Sequence, residues 1–170
     1  MPPPPTYALD ANVLIQAKDA HYRFGFCPAF WEFLVVAGEA KQALSIDKIL
    51  AELAAGGDEL SNYAHARLGR GFFHNSGGAD VVAQFARLVQ WVEAQDQFFP
   101  SAKADFAAGV DGWLVAYAKA HGLTLVTQEV HAPEAKKKVP IPNVCRAFGV
   151  PYCNTFEMLD AIKPQFVLAT

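Results

Sequence analysis

Near its start the chain reads Tyr7-Ala8-Leu9-Asp10-Ala11-Asn12-Val13-Leu14-Ile15, an apolar run that carries one aspartate. The segment from Tyr7 to Leu9 is typical of a short buried β-strand, so Asp10 stands where that strand ends. An ionised carboxylate is costly to bury without a partner, because water solvates the charge better than protein does. Asp10 therefore indicates a strand-end crevice, in which a cation or nearby backbone donors can offset that cost.

Composition limits the classes of protein to which the chain can belong. The 170 residues are 52% hydrophobic and 18% charged, which is typical of one globular domain and argues against disorder. The net charge of -3 excludes a protein that coats nucleic acid by bulk positive charge. A nucleic-acid substrate then requires a local basic patch. The three cysteines, at irregular spacing, form neither a disulfide framework nor a zinc-ligand pattern.

The N-terminal residues 1–6 contain four consecutive prolines and predict a flexible Pro-rich arm, and residues 7–170 predict a single domain. The N-terminus lacks the basic start and apolar stretch of a signal peptide, and no segment approaches the ~20 apolar residues that span a bilayer. We therefore expect a cytoplasmic protein with no membrane association.

Short apolar strand segments alternate with amphipathic helices along the chain. After the first strand, strand segments are predicted at Ala43 to Ile46, 123–127 and Tyr152-Cys153, with helices between them. This alternation predicts the α/β class, as a three-layer α/β/α sandwich with a short central parallel sheet and Rossmann-like topology. In such sheets the ligand crevice lies beyond the carboxyl ends of the strands.

Four acids are expected near that edge of the sheet. Asp10 and Glu129 each follow a predicted strand, and Asp111 opens a helix on the same face as Leu114. Glu52 borders the buried stripe of its own helix. These positions are unusual for carboxylates, and together they predict an acidic crevice.

Each acid also has an ordinary structural interpretation. Backbone donors can satisfy Asp10 at the strand end, and Asp111 can serve only as a helix cap, since aspartate is a favoured cap. Glu52 can be a partly exposed helix residue, and Glu129 can be a solvated loop acid. The metal-site hypothesis depends on all four meeting at one edge.

Carboxylates gathered in one crevice repel each other, by about 3 kcal/mol for two charges ~5 Å apart at an effective dielectric constant of about 20. A hard divalent cation relieves this repulsion, and Mg²⁺ and Mn²⁺ prefer carboxylate oxygens and phosphate as ligands. Such a cation lowers the pKa of an attacking water and stabilises charge on the leaving oxygen. The chemistry that this arrangement favours is phosphodiester hydrolysis.

Four segments, in chain order, resemble the motifs of the PIN domain. They are Leu9-Asp10-Ala11-Asn12, Ile49-Leu50-Ala51-Glu52-Leu53, Asp111-Gly112-Trp113-Leu114-Val115-Ala116-Tyr117-Ala118 and Val126-Thr127-Gln128-Glu129. The run Ile141-Pro142-Asn143-Val144-Cys145 is similar to a bacterial PIN-like branch that carries a domain-of-unknown-function label.

The resemblance implies a PIN-like fold and a metal-dependent endoribonuclease, similar to the VapC-like toxins of type II toxin–antitoxin pairs. It implies Asp10, Glu52, Asp111 and Glu129 as the catalytic, metal-binding acids, with Mg²⁺ or Mn²⁺ as cofactor. Asn12 and Thr127 would orient them as second-shell groups. Many family members carry aspartate at the fourth position, where this chain has Glu129. Because of this difference we expect one ordered metal ion, and a second ion that arrives with the substrate.

The basic residues nearest to these motifs are Lys136, Lys137, Lys138 and Arg146, and we expect them to bind the phosphate backbone of an RNA substrate without sequence specificity. The alternative is that the lysine run is only a solvated loop. An antitoxin protein is the expected partner, and the apolar content leaves room for a homodimer.

Two other functions are consistent with the sequence. One is a different phosphoryl-transfer enzyme, a structure-selective DNA nuclease or a phosphatase. The phosphatases that use an aspartate nucleophile require Asp-x-Asp, however, and this chain has Asn12 at the second position. The other is a non-catalytic PIN-like binding module whose acids contact a basic partner.

Overall fold

The computed structural model describes residues 2–170, so Met1 of the predicted arm lies outside the described residues. Pro2 to Pro5 are exposed and belong to no helix or strand. The strands are β1 (Tyr7–Leu9), β2 (Ala43–Ile46), β3 (Phe73–His74), β4 (Thr124–Val126) and β5 (Tyr152–Cys153). The helices are α1 (Ala11–Gln16), α2 (Pro28–Glu39), α3 (Asp47–Ala55), α4 (Glu59–Tyr63), α5 (Gly69–Phe72), α6 (Ala79–Glu93), α7 (Pro100–Ala108), α8 (Asp111–His121), α9 (Ile141–Phe148) and α10 (Thr155–Ile162). One π-helical turn at Ala17–His21 continues α1, and another at Ala64–Leu68 continues α4.

The five strands form one sheet in the order β3-β2-β1-β4-β5, and every neighbouring pair is parallel. Helices flank the sheet, so the predicted α/β class and three-layer α/β/α sandwich are confirmed. The central strand β1 pairs with β4 so that Leu9 lies opposite Val126. The residues that follow these two strands are therefore neighbours at the carboxyl edge.

Most of the predicted elements are present with small changes at their ends. The strand predicted over 123–127 is confirmed as the shorter β4. The sequence from Glu59 to Leu68 also predicts a helix, which divides into α4 and its π-helical turn. Gly122 and Gly149, each after a helical stretch, predict helix ends. Both are confirmed, because these residues adopt left-handed backbone angles that glycine accepts without strain. The sequence did not predict the two-residue β3 or the short α1.

Helix α8 is largely buried, and it supports the carboxyl edge. Its residues Leu114 to Ala118 are all buried, and it packs against α6 and α9. The indole of Trp113 stacks on Phe85 of α6, with ring centroids 4.0 Å apart. Because α8 is fixed in this way, its first residue, Asp111, has a defined position.

No helix in residues 2–170 is long and apolar enough to cross a membrane.

We expect Gly112→Ala to destabilise the protein by about 1–3 kcal/mol, because overpacking strains a close-packed core. A Cβ at Gly112 would lie 2.9 Å from Phe106 Cζ and 3.0 Å from Phe85 Cε2, both ring atoms of packed side chains. Urea unfolding measures the change. The matched control is Gly71→Ala, whose Cβ meets nothing within 4 Å. Equal stability of Gly112→Ala and the wild type would show that α8 is not packed as described.

Candidate active site

The candidate site begins where β1 and β4 end side by side. The backbone N–H of Asp10 donates to the carbonyl oxygen of Val126 at 3.0 Å, which extends the strand pairing by one residue. Asp10 follows β1 and Thr127 follows β4, so their side chains meet at the carboxyl edge. Both residues are buried, with Asp10 only 2% exposed.

Thr127 connects two of the predicted acids. Its Oγ1 donates to Asp10 Oδ2 at 3.2 Å and accepts a hydrogen bond from the backbone N–H of Glu129 at 3.1 Å. The first contact fixes the orientation of the Asp10 carboxylate, and the second fixes the turn that leads to Glu129. Within residues 2–170, Asn12 makes no corresponding hydrogen bond, since it is exposed on α1.

The four predicted acids share one electrostatic neighbourhood, which we call the acidic crevice: Asp10, Glu52, Asp111 and Glu129. Burial raises the pKa of Asp10 to about 7, and the charges of Asp111 and Glu129 add to this effect. Burial raises the pKa of Asp111, and the charge of Glu129 adds a smaller effect in the same direction. Glu52 lies on α3 at the exposed rim, where partial burial of its carboxyl and then the charge of Asp111 raise its pKa.

Glu129 differs from the other acids because its carboxylate already has partners. Its Oε1 accepts a hydrogen bond from Lys138 Nζ, and its Oε2 accepts one from the backbone N–H of Ile141 at 2.9 Å. The side chain of Glu129 is 14% exposed, whereas that of Lys138 is 58% exposed. The crevice therefore contains a cation supplied by the chain itself.

The donor set of the crevice is chemically suited to a hard divalent cation, because all four side chains supply carboxylate oxygens. After burial, the charge of Glu129 contributes to the raised pKa values of both Asp10 and Asp111, so these carboxyl groups lie close enough to repel one another when ionised. In the part of the chain that the structure describes, however, no group of three or more His, Cys, Asp or Glu side chains is arranged to hold a metal ion. The crevice thus has the types of side chain that bind a metal ion, but they are not yet arranged around a common point.

The predicted substrate-binding residues lie in different surroundings. Lys136 and Lys137 are exposed, whereas Lys138 contacts Glu129 in the crevice. Arg146 Nη1 lies 2.7 Å from Nδ1 of His131 on an exposed face of α9. Only Lys138 of these four basic residues is brought into direct contact with the acids.

Two cavities flank the crevice. A cavity of about 280 Å³ begins at Thr127 and Glu129 and extends to the aromatic rings of Tyr152 and Phe156. A smaller one of about 90 Å³ lies between Asp111 and the lysine run. A larger cavity of about 560 Å³ is lined mainly by residues near the amino ends of the strands and so lies away from the acids.

Two further residues shape the loops of this edge. The sequence suggests Asp47 as the cap of α3, but Ile46 occupies the cap position and Asp47 Oδ1 accepts from Ser76 Oγ at 2.6 Å. Asn143 exchanges two hydrogen bonds with the backbone of Ala132, at 3.0 and 2.8 Å. The available signal for Asp47 was its position directly after β2, and the signal for Asn143 was the motif-like run from Ile141 to Cys145.

Comparisons with known proteins agree with this architecture. A family model described as "Domain of unknown function (DUF4411)" matches residues 7–166. A chain in the crystal structure of VapBC2 from Rickettsia felis, bound to a DNA fragment from their promoter, is similar with a TM-score of 0.54. The two chains are 17% identical, and the similarity covers 88% of this chain and 98% of that one. No curated protein matches this chain. At this identity the similarity shows the fold alone, which is PIN-like as the motifs predicted.

The raised pKa of Asp10 predicts that the metal-free protein loses stability as the pH rises from about 4 to 7. The unfolded aspartate titrates near pH 4, whereas folded Asp10 keeps its proton up to about pH 7. The folded state therefore binds more protons than the unfolded state in this interval, so stability falls across it and levels off once folded Asp10 is ionised. We expect Asp10→Asn to flatten this decline and to be more stable than the wild type at pH 8.

Urea unfolding in the presence of a chelator, repeated at several pH values, measures this difference. The control is Glu39→Gln, which changes an exposed acid at the end of α2. We expect it to decline with pH as the wild type does. Parallel pH profiles for Asp10→Asn and the wild type would contradict the position assigned to Asp10.

Proposed function

The chain belongs to the DUF4411 family, and from the acidic crevice of its PIN-like fold we propose that it is a metal-dependent endoribonuclease. The observation that carries this proposal is the buried carboxylate of Asp10, which shares the carboxyl edge of a parallel sheet with Asp111 and Glu129. An isolated buried carboxylate would take up a proton and become neutral at little cost. Three mutually repelling carboxylates are better explained by a function that needs a cation.

In this proposal Asp10 and Asp111 hold one Mg²⁺ or Mn²⁺ ion, and Glu52 approaches it from the exposed rim of α3. When bound, the ion supplies Lewis-acid stabilisation of phosphate charge and lowers the pKa of the attacking water. Thr127 keeps the carboxylate of Asp10 in orientation through its hydrogen bond to Oδ2. Burial of Asp10 excludes bulk water from that side of the crevice.

The substrate proposed for this crevice is single-stranded RNA. Lys136 and Lys137 on the loop after Glu129, and Arg146 on α9, are exposed cations, and such groups bind phosphates without reading the base sequence. The flanking cavity with Tyr152 and Phe156 offers aromatic surface on which a base can stack. With a net charge of -3, the rest of the surface gives no bulk attraction for nucleic acid, so these local groups have to supply the binding.

We further propose that the protein is the toxin of a type II toxin–antitoxin pair and acts in the cytoplasm. The support is the structural similarity to a chain of the VapBC2 assembly, which was solved with a DNA fragment from its promoter. The acidic crevice gives such an antitoxin a complementary target, because a basic segment laid across it would offset the repulsion among the carboxylates.

We expect Asp10→Asn and Asp111→Asn each to reduce cleavage of single-stranded RNA by at least about 100-fold in Mg²⁺ or Mn²⁺. This magnitude follows because losing even an outer partner of a metal ligand costs 10–100-fold. Glu39→Gln, an exposed acid remote from the carboxyl edge, should leave cleavage unchanged. The measurement is the rate of cleavage of an end-labelled RNA by each purified variant.

Undiminished cleavage by the two variants would end the proposal. Matched single-stranded and branched DNA and a phosphomonoester, tested in parallel, separate the other phosphoryl-transfer functions. Turnover of one of these in preference to RNA, with the same loss in Asp10→Asn, would assign the crevice to that substrate instead. Absence of any turnover, with tight binding of a basic peptide, would support a binding module.

A further inference from the structure

Lys138 belongs to an exposed lysine run, yet its ammonium group points into the acidic crevice. It donates to Glu129 Oε1, and the same carboxylate receives the Ile141 N–H on Oε2. Asp111 and Asp10 also act on Lys138, since together with Glu129 they outweigh its burial and raise its pKa. Lys138 is therefore part of the electrostatic balance of the acids.

The loop that carries Lys138 is tied to the domain on both sides of this residue. Before it, the backbone N–H of Phe99 donates to the Lys136 carbonyl oxygen at 2.9 Å, and Gln97 Nε2 donates to the Ala135 carbonyl oxygen at 2.9 Å. After it, Val139 and Ile141 are buried in the core. Because its backbone is fixed in this way, Lys138 is held over the crevice, whereas most surface lysines sample solvent freely.

The contact with Lys138 changes which acids are available to a metal ion. Both oxygens of Glu129 already accept a hydrogen bond, so a metal ion at Glu129 would have to share an oxygen with Lys138 or with the backbone of Ile141. Asp10 and Asp111 form no salt bridge in residues 2–170, although the charge of Lys138 also acts on Asp111. A second divalent ion at Glu129 would also lie against the ammonium group, and like charges at that distance repel strongly.

We propose that Lys138 is a built-in cation of the crevice, which holds Glu129 in place of a second metal ion and leaves Asp10 and Asp111 to bind one. This inference rests on the proposed function, because it concerns the same acids. Lys138 and one divalent ion together carry three positive charges, and these neutralise three of the four negative charges of the crevice. The fourth acid then remains free to exchange as a ligand at the rim. Lys138 acts as a positioning residue that sets the number of ions bound.

Titration calorimetry with Mn²⁺ alone, in the absence of RNA, tests this assignment. We expect the wild type to bind one ion per chain. Lys138→Met removes the charge but keeps most of the side-chain length, so it should gain a second ion or bind Mn²⁺ at least about tenfold more tightly. Lys138→Arg keeps the charge and should bind one ion as the wild type does. The matched control, Lys137→Met, removes an exposed charge next in sequence and should also behave as the wild type does.

Several results would overturn the inference. They are unchanged stoichiometry and affinity in Lys138→Met, weaker binding in that variant, or two ions in the wild type. If the wild type binds one ion and Lys138→Met does the same, only the role of Lys138 is wrong. If no variant binds Mn²⁺ at all, the proposed metal-dependent function fails together with this inference.

Because 58% of the Lys138 side chain is exposed, Lys138→Met is expected to fold, and Lys138→Gln provides a second uncharged variant.

Discussion

The pairing of β1 with β4 is the constraint from which the site is built. Its register sets Leu9 opposite Val126, so the next residues, Asp10 and Thr127, are neighbours at the carboxyl edge. The same backbone that buries Asp10 supplies its orienting hydroxyl. Burial makes the charge of Asp10 costly, and a bound cation would offset that cost. Fold and site thus depend on one short stretch of parallel pairing.

The remaining acids are brought to this edge by elements whose own packing is independent of it. Asp111 opens α8, which is fixed by its buried face and by the stacking of Trp113 on Phe85. Glu129 is held by its contacts with Lys138 and Ile141. The crevice is therefore rigid on the side of β4 and α8 and open on the side of Glu52. A domain built in this way can keep unfavourable charges together because each is anchored separately.

The sequence predicted the parts of this site that follow from strand ends. Asp10 directly follows one apolar strand, and Thr127 and Glu129 lie at the end of another. The rule that parallel sheets bind ligands at their carboxyl edge places them together. Strand β3 was not predicted, because two residues are too few to show a period. The contact of Lys138 with Glu129 was not predicted either, because it depends on the path of the loop over 130–140. Asn12 looked equivalent to Thr127, but α1 begins at Ala11 and leaves Asn12 exposed.

If the carboxylates at this edge hold a divalent cation, a crystal of the protein grown with Mn²⁺ will show that ion in the anomalous signal of its diffraction data. We expect one anomalous peak within ligand distance of the carboxylate oxygens of both Asp10 and Asp111. A map at saturating Mn²⁺ with no peak at these residues, or with peaks only elsewhere on the protein, would show that the acids do not form a metal site.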